Sequence, residues 1–267
     1  MFLLQGAQML QMLENALRKS LPESLKVFGT VFHINHGNPF NLKALVDKWP
    51  DFNTVVVRPQ EENMRDDLDH YTNTYHIYTR DPKNCQEFLD SPDVINWKQH
   101  LQIQSKQEEC YVWGIISAEG TVREREIYLL RQRTSFDDVS PLSLCGAQAS
   151  LVNKFWYYGG NERSQRFIER CIRTFPTSGL LGPEGNLVSW NLMDQTGETR
   201  MAGTLPEYRG QGLVSYVVHA QEVTMEKLGF PVYSHTDKTN IAMQRMSDTL
   251  HHLTMPCDWN QWICMPV

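Results

Sequence analysis

Several features are missing from this chain of 267 residues. No apolar run exceeds a handful of residues, so no membrane-crossing helix is expected. The 25 Lys and Arg are outnumbered by 31 Asp and Glu, a formal charge of −6, which argues against a basic surface for wrapping nucleic acid. The six cysteines, at positions 85, 110, 145, 171, 257 and 264, form no CxxC pair. In a chain this size they read as free thiols of a reducing compartment, not as a disulfide scaffold or zinc site. The nine histidines show neither HxH nor HExxH spacing, and no metal is expected. No GK[ST] loop, GxGxxG fingerprint, internal repeat or low-complexity tract is present.

What remains is a globular composition, 41% hydrophobic and 21% charged, long enough for one large domain or two small ones. Met1–Ser20 reads as an amphipathic first helix with Leu4, Met9, Met12, Leu13 and Leu17 on its apolar side and Arg18 and Lys19 at its end. An uncleaved organelle address is the other reading, and Glu14 counts against an acid-free transit peptide. KVFGTVFHINH, from Lys26 to His36, has strand composition, and Asn41 precedes LKALVDKW as a helix cap would. NTVVVRP and NTYHIYT predict strands, the first buried on both faces. DPKNCQEFLD and SPDVINWKQHL predict two helices with Pro at the first position. This alternation makes residues 1–104 an α/β unit. A boundary falls in 105–145, where the pattern is charged and apolar stretches are short, YVWGIIS being a possible strand.

Residues 146–267 are more regular. Two helices flank Gly159-Gly160, the second with an apolar stripe of Phe167, Ile168, Cys171 and Ile172. Strand, turn, strand, turn, strand follow, with turns at Gly182–Gly185 and Gln195–Gly197. A helix from Gly212 to Leu228, a strand in FPVYSHT and a helix from Asn240 to Leu250 complete the pattern.

Leu205-Pro206-Glu207-Tyr208-Arg209-Gly210-Gln211-Gly212-Leu213 joins a strand to a helix. Two glycines there let backbone N–H groups approach a ligand, and a helix N-terminus favours negative charge, which suits a pyrophosphate. A Gly-rich turn before a helix also occurs with no ligand, so this motif alone leaves both readings open.

The segment resembles the acyl-CoA loop of the GNAT acyltransferase superfamily, Arg/Gln-x-x-Gly-x-Gly/Ala, with Val214 at the last position. Longer strings, among them HGNPFNLKALVDKWPDF, DDLDHYTNTYHIY, GGNERSQRFIERCI, MDQTGETRMAGTLPEYR and KLGFPVYSH, resemble the glycine N-acyltransferase family. The resemblance covers Met1 to about Gln104 and Ala147 to Val267, while family members are longer than this chain between those stretches. It implies an α/β, GNAT-type fold, a mixed twisted sheet with flanking helices, preceded by a smaller α/β N-terminal domain. It implies acyl transfer from acyl-CoA, a co-substrate and not a resident cofactor, to glycine. Arg209, Gly210, Gln211, Gly212, Leu213 and Val214 would bind the CoA. A mitochondrial matrix address also follows from the resemblance, and a monomer is expected. The alternatives are another acceptor such as glutamine, longer acyl chains, or a catalytically silent acyl-CoA-binding paralogue.

Amide formation from a thioester needs an uncharged amine and a base to take its proton. Glu198, just past the Gly197 turn on the strand leading to the loop, is the candidate base, and the family's catalytic glutamate maps onto it by resemblance. On the residues alone it reads first as a solvated turn carboxylate. Glu207 and Asp194 are weaker rivals. His235 is a base, a substrate contact or a structural histidine. Where the superfamily often places a Tyr to protonate the thiolate, this chain has Ser247, so no general acid is assigned; Tyr233 is a distant candidate. Arg200, Arg163 and Arg166 could receive the acceptor carboxylate.

Overall fold

The structure, a computed structural model, describes residues 1–106, 123–129 and 142–266. Two compact units form, one of Met1–Arg125 with Cys257–Val267 and one of Glu126–Pro256. The first holds β1 (Phe2–Leu4), α1 (Ala7–Arg18), α2 (Leu25–Asn35), β2 (Leu42–Val46), β3 (Thr54–Pro59), β4 (Thr74–Thr79), α3 (Pro82–Leu89) and β5 (Leu101–Ser105). Strand β6 (Arg123–Leu129) runs across the division. The second holds α4 (Ala149–Phe155), α5 (Glu162–Thr174), β7 (Ser178–Leu181), β8 (Leu187–Met193), β9 (Thr199–Thr204), α6 (Leu213–Lys227), β10 (Tyr233–Asp237) and α7 (Ile241–Thr249). The last strand, β11 (Leu253–Cys264), ends in the first unit.

In the first unit the strands lie in the order β1-β2-β3-β4-β5-β11. Pairing is antiparallel except between β4 and β5, which α3 joins in parallel, so the sheet is mixed. The apolar residues of β4, α3 and β5 meet in one core, where Tyr75, Ile77, Cys85, Leu89, Leu101 and Ile103 pack with Trp262 of β11. The sequence reading counted 257–267 with the C-terminal domain. They sit in the first unit because Asn260–Cys264 pair with Leu101–Ser105.

Three expectations in this unit are corrected. Lys26–His36 is not a strand but most of helix α2, and every residue from Leu25 to Val31 is buried. A helix buried all round loses its polar face, and with it the 3.6-residue period that separates helix from strand. Leu42–Val46 is a strand, not a helix: it pairs with β1 on one side and β3 on the other. Asn41 is no cap there; it takes a left-handed φ of 51°, and Asn38 bonds both backbone groups of Leu42. SPDVINWKQHL forms turns instead of a helix, held from outside by Tyr75 Oη accepting from Asn96 N and by Gln99 donating to the Met64 carbonyl. At the N-terminus the helix begins only at Ala7, since Phe2–Leu4 pair with β2. The suggested strand YVWGIIS lies outside the described residues.

In the second unit the predicted elements occur at the predicted places. Strands β7, β8 and β9 make an antiparallel sheet against which α6 packs. The ladder slips beyond Trp190: Trp190 faces Gly203 and Leu192 faces Arg200, leaving Met201 and Ala202 opposite Asn191 alone. This bulge puts Met201 at a φ of 61°. Strand β10 is absent from this ladder and meets β9 through the Thr199 hydroxyl, 3.0 Å from the Tyr233 carbonyl. One side of β9 past Thr199 is therefore an open edge, the splay expected near Ala202–Thr204.

The turn into β9 depends on Gly197, whose φ is 78° and where a Cβ would stand 2.0 Å from the Phe230 ring. Gly185 has a similar φ of 77° with nothing within 4 Å of its Cβ position. Gly197→Ala should therefore cost roughly 2–4 kcal/mol, overpacking added to backbone strain, and Gly185→Ala only about 1 kcal/mol. Urea unfolding of the two variants checks this; equal losses would contradict it.

Candidate active site

After Thr204 the chain makes a short 3-10 turn, Pro206–Tyr208, and enters α6 through Gly210 and Gly212, both with φ near 75°. A Cβ at either would meet nothing, so these glycines answer to backbone conformation, not to crowding. Helix α6 begins with no side-chain cap and no acidic residue in its first turn. By contrast α3, α5 and α7 are capped by Asp81, Asn161 and Asn240. Residues Arg209–Gly212 are exposed and Leu213 and Val214 half-buried, with Arg209 Nε donating to the Thr204 carbonyl at 3.2 Å. The arrangement is an uncapped cluster of N–H groups at the positive end of a helix, open to an anion. A buried pair, Glu222 Oε1 and His252 Nε2 at 2.9 Å, fastens α6 further along.

Glu198 stands at the other end of β9. Six strand residues separate it from the loop region, which at about 3.3 Å per residue is roughly 20 Å, less what the bulge removes. It is not a solvated turn carboxylate: only 1% of it is exposed. Its Oε1 accepts from the His235 backbone N at 3.1 Å, and the Nδ1 of His235 lies 3.2 Å from the same oxygen.

Buried polar groups surround this pair. Asp194 accepts from Thr196 N and Oγ1, and from Arg200 at 2.7 Å. Arg200 also lies 5.3 Å over the Trp156 ring. Burial works against the Arg200 charge, but the carboxylates of Glu198 and Asp194 outweigh it and hold the guanidinium above its ordinary value. Burial, then Glu198 and Asp194, push the Tyr233 phenol well up, and its hydroxyl donates to the Thr196 carbonyl at 2.8 Å. Burial and Asp194 likewise push the Cys171 thiol well up, which makes it a poor nucleophile.

The structure thus joins Glu198 to His235, two candidates the sequence could only weigh separately. Arg200 is committed to Asp194 instead of standing free for an acceptor, Tyr233 is committed to Thr196, and Ser247 is fully buried on α7. Glu207 is exposed in the turn before the loop, while Arg163 and Arg166 lie on α5. The local sign of the Glu198–His235 pairing was a histidine on the strand after the loop helix; nothing in the sequence placed it opposite the Gly197 turn. Among the described residues no three His, Cys, Asp or Glu converge as metal ligands, and no helix is long and apolar enough to cross a membrane.

A hairpin with a bulged, open-edged last strand running into an uncapped helix defines a GNAT-like fold, and solved structures share it. A Drosophila protein superposes with a TM-score of 0.76 over 99% of both chains at 12% identity. A putative acetyltransferase of Pyrococcus horikoshii gives 0.56 over 98% of this chain and 88% of its own, at 9% identity. A tandem GNAT protein from the clavulanic acid pathway gives 0.53 over 96% and 94%, at 11%.

The chain belongs to the aralkyl acyl-CoA:amino acid N-acyltransferase family. The N-terminal family model matches residues 1–118 and 116–176, and that of the C-terminal region matches 178–266. The rat and human glycine N-acyltransferases are 60% and 61% identical, covering 99% of this chain and 99% of their own. Bovine glycine N-phenylacetyltransferase is 55% identical over the whole of both chains. The rat and human alignments run over 292 positions against 267 residues here, so these relatives carry residues that this chain lacks.

Asp194→Asn would leave Arg200 buried without its hydrogen-bonded carboxylate. The expected loss is roughly 3–5 kcal/mol of stability, as when one member of a buried pair is removed. An unchanged Tm in thermal unfolding would contradict the account of this cluster.

Proposed function

We propose that this chain transfers a small aromatic or short-chain acyl group from CoA to the amine of glycine, with Glu198 as the base and Arg209–Val214 as the pyrophosphate cradle. The observation that carries the reading is the placement of an enclosed carboxylate and an uncapped helix at opposite ends of one open-edged strand. An acyl-CoA laid along β9 has its pyrophosphate at the Gly210 and Gly212 turn, and its arm runs beside the strand's edge toward Glu198.

Glycine arrives mostly as the ammonium ion. Glu198 takes a proton from it, and the freed amine attacks the thioester carbonyl carbon. The carbonyl π electrons move to oxygen as the C–N bond forms, and backbone N–H groups on the edge of β9 are suited to stabilise that oxyanion. Collapse breaks the C–S bond and releases CoA thiolate, which takes up a proton from solvent. Amine protons lost on the way to the amide end on water after Glu198 is regenerated. A carboxylate so enclosed admits a small amine more readily than a bulky one, which favours glycine over glutamine as acceptor. The intact loop and carboxylate favour a working enzyme over a silent acyl-CoA binder. The mitochondrial address and monomeric state belong to the same proposal; cell fractionation and sedimentation test them.

Release of free thiol from benzoyl-CoA with and without glycine tests the activity. Glycine-dependent release is expected, and release independent of glycine would contradict the reading. Gly212→Val should raise KM for benzoyl-CoA about tenfold or more, the worth of a lost charge-assisted contact, while KM for glycine stays near the parent value. Equal effects on both constants would move the CoA site elsewhere.

A further inference from the structure

Given the reading of Glu198 as the base, on which this inference rests, we infer that His235 is its positioning residue, holding a proton on Nδ1 that faces Glu198 Oε1. The family resemblance pointed to the glutamate alone. Three observations point to His235.

The first is geometry. Both groups are shut away from water, with side-chain exposures of 0% for His235 and 1% for Glu198, and Nδ1 lies 3.2 Å from Oε1. The same carboxylate oxygen takes the backbone N–H of His235 at 3.1 Å, so the backbone bond and the nearby imidazole come from one residue. The imidazole is itself set edge-on against the Tyr233 ring, with centroids 5.6 Å apart, which restricts its rotation.

The second is charge balance. A buried carboxylate is costly unless a compensating charge or donor lies against it. Among the described residues, the charged and titratable groups near Glu198 include Asp194 in the hairpin turn, Arg200 on β9, and Tyr233 and His235 on β10. Arg200 pairs with Asp194 at 2.7 Å and is held charged by Glu198 as well, so one guanidinium faces two carboxylates. Tyr233 and Cys171 are held in their neutral forms. Two carboxylates against one guanidinium leave one negative charge in the cluster, and the imidazole of His235, 3.2 Å from Glu198, is placed to supply a matching proton.

The third is the demand of the reaction. A base must be ionised when the amine arrives, and in this enclosure an N–H donor or cation at His235 is what favours the carboxylate over its protonated form. His235 touches neither substrate; it acts through Glu198.

The test compares rate–pH profiles of His235→Asn and His235→Gln with the parent, using benzoyl-CoA and glycine. Loss of the imidazole should move the acid limb of kcat/KM upward by roughly one to three pH units, as expected when a facing cation is removed from a carboxylate. Activity should return toward the parent value on the alkaline side, and KM for benzoyl-CoA should not change. An acid limb that stays in place, or a uniform loss at every pH, overturns the inference.

Should neither variant fold, nitrogen-15 NMR of the histidine-labelled parent gives an independent answer. A protonated Nδ1 whose signal moves in Glu198→Gln supports the pairing, and a bare Nδ1 overturns it. Glu198→Gln assayed alongside separates the two levels. Full glycine transfer by that variant would overturn the base assignment and this inference with it. A crippled Glu198→Gln with an unmoved His235 acid limb would overturn this inference alone.

Discussion

A carboxylate enclosed in protein must be balanced by opposite charge, and that constraint organises the second unit. Glu198 sits beside a hairpin turn that only Gly197 can make under the Phe230 ring. Its neighbours Asp194 and Arg200 form an ion pair, the guanidinium answers to Glu198 as well, and Trp156 covers it. His235 completes the balance from β10. Removing any one of these groups leaves a charge without its counterpart, so the cluster couples hairpin, β10 and carboxylate into one arrangement. The same coupling keeps β10 near β9 at Thr199 while the two strands separate beyond it.

The two units also differ in how they close a strand–helix junction. In the first, β4 passes to α3 through Thr79-Arg80-Asp81-Pro82, and Asp81 accepts from Lys83 N and Asn84 N. An acidic side chain already occupies the positive end of that helix, which disfavours a phosphate there. In the second, β9 passes to α6 through glycines, with no cap and no acid. The difference lies in a few residues at each junction, and of these two helix ends that of α6 is the one free of an acidic cap. Both junctions follow the last strand of an antiparallel run, so topology alone would not distinguish them.

How far the sequence disclosed this follows from the kind of signal each segment carries. The second unit was legible because its elements are separated by glycines and Asn caps and its helix α5 keeps one apolar stripe: Phe167, Ile168, Cys171 and Ile172 are all buried. The first unit was less so. Helix α2 is buried through its first two turns and reads as a strand, while β2 is a strand made by its partners on both sides. Residues 91–100 are held as turns by Tyr75 and by Gln99 bonding to Met64, pairings distant in sequence that no local pattern announces. The loop 209–214 and Glu198 could be named from sequence, but the enclosure of Glu198 and its pairing with His235 are tertiary facts. The return of β11 to the first unit is another, since it depends on β5, of which the sequence reading assigns only Leu101, as the end of a helix.

The central claim is that Glu198 removes the amine proton, and the rate–pH profile of Glu198→Gln tests it most directly. Gln keeps the shape and hydrogen-bonding atoms but accepts no proton at neutral pH. The account predicts a fall in kcat of roughly 10²–10⁴ at neutral pH, with acyl-CoA binding nearly unchanged. The deficit should shrink as pH rises, because more glycine then arrives already uncharged. A flat profile close to that of the parent enzyme would contradict the account and remove Glu198 from the mechanism.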